Sequence, residues 1–136
     1  MTLKSSKRGQ VPPFIVMDVM RAAEERERAG EQVLHLEVGQ PATRAPSKVI
    51  EAAHDALNTD VIGYTNAFGI WELRQAIADH YDATYGVTVD PEAVAVTTGS
   101  SGAFVLSFMA AFDPGDRVAL ASPGYPAYRN ILTGLG

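Results

Sequence analysis

Val96-Thr97-Thr98-Gly99-Ser100-Ser101-Gly102-Ala103 joins a strand-like run to a helix-like run. Upstream, Ala93-Val94-Ala95-Val96-Thr97 is short, apolar and rich in β-branched residues, which reads as a buried strand. Downstream, Ala103-Phe104-Val105-Leu106-Ser107-Phe108-Met109-Ala110-Ala111-Phe112 reads as a buried helix. The small residues between them let a backbone approach an anion closely. The first N–H groups of a helix have no partner within it and point at that spot. Such a turn can bind a phosphate through main-chain donors alone. The same residues also suit an ordinary strand-to-helix turn with a serine N-cap.

Composition narrows the classes around this turn. The chain has 136 residues, 46% hydrophobic and 20% charged, which is ordinary for one globular domain. A net charge of −5 without a basic cluster argues against nucleic acid as a partner. With no cysteine there is no disulfide frame and no thiolate metal site, in keeping with a reducing compartment. The longest strongly apolar run, Gly102 to Phe112, falls short of the ~20 residues that span a bilayer. Residues 1–12 carry basic side chains but no apolar core behind them, so they read as a flexible arm, not a secretory signal. A soluble cytoplasmic protein is the expectation.

Strand and helix signals alternate along the chain. Pro12-Pro13 followed by Val16, Met20 and Ala23 opens an amphipathic helix that ends near Gly30, with Glu24 to Arg28 on a solvated face. Val33 to Val38 alternates as a short strand and runs into the loop Gly39-Gln40-Pro41. A helix starting at Pro46 or Ser47 presents Val49, Ile50, Ala53 and Leu57, and weakens at Asn58-Thr59-Asp60. Another carries Leu73, Ala76, Ile77, His80, Tyr81 and Thr84 on one face and ends at Gly86. After the turn Asp113-Pro114-Gly115-Asp116 come a strand at Arg117 to Ala121 and a rigid loop, Ser122 to Pro126, then a short helix. Alternation of this kind predicts an α/β protein with a largely parallel sheet. Only two of these strands belong to that sheet, where ~5–6 are usual, and no closing strand follows the last helix, so the sequence reads as unfinished.

Four separated signatures resemble the N-terminal third of a fold-type I aminotransferase, one of the pyridoxal 5′-phosphate (PLP) enzymes of class I/II. They are Gly39-Gln40-Pro41; Gly63-Tyr64-Thr65 with Gly69 and Leu73-Arg74-Gln75-Ala76-Ile77; the turn at Val96–Ala103; and Asp113–Asp116 with Ser122-Pro123-Gly124-Tyr125-Pro126-Ala127-Tyr128. The resemblance implies a small domain starting over residues 13–45 and the first part of a PLP-binding large domain over 46–136. It implies that Gly99, Ser100 and Ser101 hold the cofactor phosphate and that Tyr125 stacks on the pyridine ring. Tyr64 would reach the phosphate of the neighbouring subunit in a homodimer, and the Gly39 N–H would meet the substrate carboxylate. The reaction implied is transfer of an amino group between an amino acid and a 2-oxo acid, without metal, nucleic acid or membrane.

The family's Schiff-base lysine, the carboxylate beside the pyridine nitrogen and the substrate-binding arginine all lie downstream of the motifs present here. Lys4, Lys7 and Lys48 match none of these positions, so no catalytic residue is assigned and the chain alone is expected to be inactive. It is also expected to fold poorly, its strand edges lacking neighbours. Ala42-Thr43-Arg44-Ala45 replaces the Asp-aromatic pair common after the first signature, which leaves the amino acid open. His35, His54 and His80 lack metal-ligand spacing and read as structural. Three alternatives stand beside the aminotransferase: another fold-type I enzyme such as a lyase, a small non-catalytic module binding a phosphorylated ligand at Gly99–Gly102, and a non-catalytic partner subunit.

Overall fold

Residues 3–136 are described by a computed structural model. They divide into two compact units, one formed by the chain up to Val38 together with Thr97–Gly136, the other by Gly39–Val96.

In the first unit, helix α1 (Ile15–Arg28) follows Pro12-Pro13, which lie just outside it because Phe14 is the N-cap. Ala23 is buried and Val16 and Met20 are half-buried, so the apolar stripe faces inward as its spacing requires. The opposite face carries Arg21–Asp18, Arg21–Glu25 and Arg28–Glu24 ion pairs at 3.4–3.7 Å, all in solvent. Pairs so exposed contribute only ~0.3–0.5 kcal/mol each. Helix α4 (Gly99–Ala111) starts four residues ahead of the apolar run and packs against α5 (Pro126–Leu135). A 3-10 turn at Lys7–Gly9, capped by Ser6 Oγ, also meets α5. The expected arm thus includes residues placed against a helix, while Met1 and Thr2 lie outside the described residues.

The second unit holds α2 (Ser47–Thr59), α3 (Trp71–Tyr85) and a 3-10 turn at Pro91–Ala93. In the last turn of α2, Asn58 Nδ2 and Thr59 Oγ1 donate to the carbonyls of His54 and Asp55. Gly86 ends α3 in the left-handed region, its N–H reaching the Asp82 carbonyl at 2.9 Å. The inward line of α3 is Arg74 and Ala78, one position round from the expected stripe, and Leu73 and Tyr81 remain exposed. Arg74 causes the offset. Its guanidinium is buried, with Nε donating to the carbonyls of Pro91 and Val94 at 3.0 Å and Nη2 to Glu92 at 2.9 Å. It also lies over Trp71 and Phe68, 5.6 and 5.8 Å from the ring centres. A buried charge persists only when its donors are met, and here main-chain carbonyls meet them. Beside this hub the Val96 N–H donates to the Phe68 carbonyl at 2.9 Å.

The three expected strands, Val33–Val38, Ala93–Thr97 and Arg117–Ala121, form no ladder among the described residues. A strand is a paired state: an extended segment becomes one only when a neighbour takes its N–H and C=O groups. Leu34 and Leu36, 90% and 92% exposed, show the same shortage on the side-chain level.

Burial is correspondingly slight. Among the described residues the buried hydrophobic side chains are Ala23 and Ala78 alone. Helix α4 is apolar all round, yet Leu106 and Met109 face solvent. A helix of that composition is built to be covered on every side. The isolated 136-residue chain is therefore expected to show helical far-ultraviolet circular dichroism that fades gradually on heating. A sharp, cooperative transition with matching near-ultraviolet change would contradict this.

Candidate functional site

Helix α4 sets the centre of the site. Its N-cap is Thr98, and no side chain caps it. Ser100 and Ser101 stand inside the first turn, so neither is the N-cap that the ordinary reading of this turn requires. Thr97 Oγ1 donates instead to the Gly99 carbonyl at 2.8 Å, and the Gly99 N–H to the Thr97 carbonyl at 2.9 Å. Gly99 has φ +76°, a left-handed conformation that favours glycine, and a Cβ there would meet no atom within 4 Å. Ser100 and Ser101 are exposed. The first turn carries no acidic residue to neutralise the positive end of the helix dipole. An uncapped helix start with open space and two hydroxyls fits a phosphate group.

Tyr125 comes from the loop before α5, in the same unit. The Ser122–Pro123 peptide is cis, and Gly124 closes the turn so tightly that a Cβ on it would lie 2.5 Å from the Ala121 carbonyl oxygen. Only glycine fits that approach without moving backbone. Tyr125 is 49% exposed, and its neighbouring rings, Phe14 and Tyr128, stand nearly perpendicular to it. Neither lies flat on it, which suits a planar ring as a further contact.

The remaining predicted residues belong to the other unit. Tyr64 is fully exposed, and around Gly39 a Cβ would meet no atom within 4 Å. A cavity of about 480 Å³ in the first unit lies toward the far end of α4, lined by Phe108, Met109, Phe112, Leu120, Leu132 and Arg129 among others. None of the predicted site residues borders it. Among the described residues no cluster of three or more His, Asp or Glu could hold a metal ion.

Two residues named in the sequence analysis, one within a signature and one as a structural histidine, gain partners here that sequence did not specify. Arg74 is one, its importance lying in main-chain acceptors 17 and 20 residues away. The other is His35, whose Nε2 meets Glu27 of α1 at 2.9 Å and whose Nδ1 meets Glu37 at 2.7 Å. These two carboxylates, Glu37 first, raise the imidazole from 6.5 to about 9. The same bond to His35 lowers the Glu37 carboxyl below its ordinary 4.5.

The comparisons agree with the motifs. The model of the aminotransferase class I and II family matches residues 31–136. The chain is 55% identical over all 136 residues to the valine–pyruvate aminotransferase of Mycobacterium tuberculosis, of which it spans 35%. It is 34% identical over 124 residues, 91% of the chain, to the aspartate aminotransferase of Thermotoga maritima, spanning 33% of that protein. The crystal structure of an aminotransferase from Mycobacterium tuberculosis superposes with a TM-score of 0.93 over 99% of this chain and 35% of its own, at 55% identity. For the Thermus thermophilus aspartate aminotransferase with maleate the TM-score is 0.92 at 34% identity, over 99% of this chain and 36% of that one. The chain therefore belongs to the class I and II aminotransferase family, and it spans about a third of the length of these relatives. Its fold corresponds to the N-terminal part of theirs.

The His35 bridge has a defined pH signature. A raised histidine pKa means that its contribution is complete below pH 6.5 and disappears as pH climbs through about 9. The lowered carboxyl pKa means that the Glu37 share is present above pH 4.5 and is lost as pH falls through the depressed value. Nuclear magnetic resonance titration of the His35 ring should give a midpoint near 9, and Glu37→Gln should move it toward 6.5. A midpoint already at 6.5 in the unsubstituted chain contradicts the bridge.

Proposed function

We propose that this chain supplies the phosphate-binding part of a PLP-dependent aminotransferase that moves an amino group between an amino acid and a 2-oxo acid. The observation that carries this reading is the uncapped start of α4 at Gly99–Ser101, set in a family match that spans the turn. In it the Ser100 and Ser101 main-chain N–H groups and the Ser101 hydroxyl hold the phosphate, and Tyr125 covers one face of the pyridine ring. When bound, PLP supplies an electron sink for the α-carbon of the amino acid. The chain's own residues bind and orient: the helix start fixes the phosphate, the aromatic fixes the ring plane, and the Gly39 N–H receives the substrate carboxylate. Tyr64, fully exposed, reaches the phosphate held by a second subunit of a homodimer.

Residues 13–45 are assigned to the start of a small domain and 46–136 to the large PLP-binding domain. The protein works in the cytoplasm, and no described helix is long and apolar enough to cross a membrane. Valine with pyruvate is the substrate pair to try first, since the relative sharing 55% of this sequence bears that name. Aspartate, named in relatives of 34% identity, is the contrasting pair.

The test uses the natural full-length protein that carries this sequence. It should bind PLP and form a 2-oxo acid from valine when pyruvate is the acceptor. A hydrogen bond to a charged group is worth ~1.5–3 kcal/mol, so Ser101→Ala should raise the PLP dissociation constant roughly 10- to 100-fold. Unchanged cofactor affinity in that variant, or no PLP binding at all, would overturn the reading.

A further inference from the structure

Tyr125 is the N-cap of α5, and its ring has two aromatic neighbours of separate origin. Tyr128 comes from the same helix, with ring centres 5.3 Å apart and planes at 80°. Phe14 comes from the segment before α1, with centres 6.0 Å apart and planes at 84°. Tyr128 in turn meets Phe104 of α4 at 4.7 Å and 73°, so a chain of perpendicular rings runs from the residue before α1 to the phosphate-turn helix. Edge-to-face pairs are directional: the positive edge of one ring seeks the negative face of another, so each contact restrains the tilt of its partner.

The segment that carries Phe14 meets α5 at two further points. Asn130 Nδ2 donates to the Pro12 carbonyl at 3.2 Å, and a Cβ placed on Gly134 would lie 3.7 Å from Val11 Cγ2. Residues 11, 12 and 14 therefore seat along α5 at three places, and a side chain so anchored can impose an orientation on a half-exposed ring. Leucine at position 14 would keep the apolar bulk and lose the directionality.

We propose that Phe14 is a positioning residue for Tyr125, fixing the tilt at which that ring meets the PLP ring. This rests on the assignment of Tyr125 as the cofactor-ring contact. Phe14 touches neither cofactor nor substrate in this role; it acts through Tyr125.

A double-mutant cycle in the natural full-length protein tests it, with PLP dissociation constant and thermal midpoint both measured. Phe14→Leu should raise the dissociation constant about 2- to 10-fold, the range that one aromatic pair commands. Phe14→Tyr should restore it. In a Tyr125→Leu background, Phe14→Leu should produce no further change. A lowered midpoint with unchanged PLP affinity assigns Phe14 a merely structural part and overturns the proposal. So does an equal loss of affinity in both backgrounds. If Tyr125→Leu itself leaves PLP affinity unchanged, or the unsubstituted protein binds no PLP, the assignment of the site fails first and the proposal falls with it.

Discussion

Main-chain N–H groups in search of partners govern this chain in two different ways. At the start of α4 the donors of the first turn have no carbonyl four residues back and no capping side chain. Along the expected strands Val33–Val38, Ala93–Thr97 and Arg117–Ala121 no ladder forms among the described residues, and Ala93 itself closes a 3-10 turn. The first shortage is the one our proposed function fills with a phosphate, and the second leaves a sheet unmade. Both follow from the same cost of leaving a backbone polar group unmet.

Where partners do exist, they are supplied by a few polar hubs more than by apolar packing. Arg74 is the clearest case, because one guanidinium gathers two carbonyls, a carboxylate and two aromatic faces around the segment Pro91–Val94. His35 does the same on a smaller scale between Glu27 and Glu37. Meanwhile large side chains on α2 and α4, Leu57 and Leu106 among them, stay in water. The surface that solvent meets in this chain is the kind that a folded protein covers.

How much of this is legible in sequence depends on how local its cause is. Helices α1, α2, α3 and α5 follow from spacing and punctuation, because Gly86 and Pro46 act on their own neighbours. The four-residue advance of α4 was hidden by Gly99-Ser100-Ser101-Gly102, whose composition favours a loop while its position permits a first helical turn. The strand signals are genuine in composition, yet pairing is a tertiary event that no single segment determines. Gly99, Ser100, Ser101 and Tyr125 are legible because each sits in a contiguous motif, the first three in Val96–Ala103 and the last in Ser122–Tyr128. Phe14 is not, since nothing in its own neighbourhood announces the ring it would meet more than a hundred residues on.

The central claim is that the amides opening α4 receive a phosphoryl group. It is tested most directly by following the Ser100, Ser101 and Gly102 amide resonances of the natural full-length protein while adding PLP or its unphosphorylated counterpart, pyridoxal. The account predicts large downfield amide-proton shifts with PLP and small ones with pyridoxal. Bound PLP with those three resonances unmoved would contradict it.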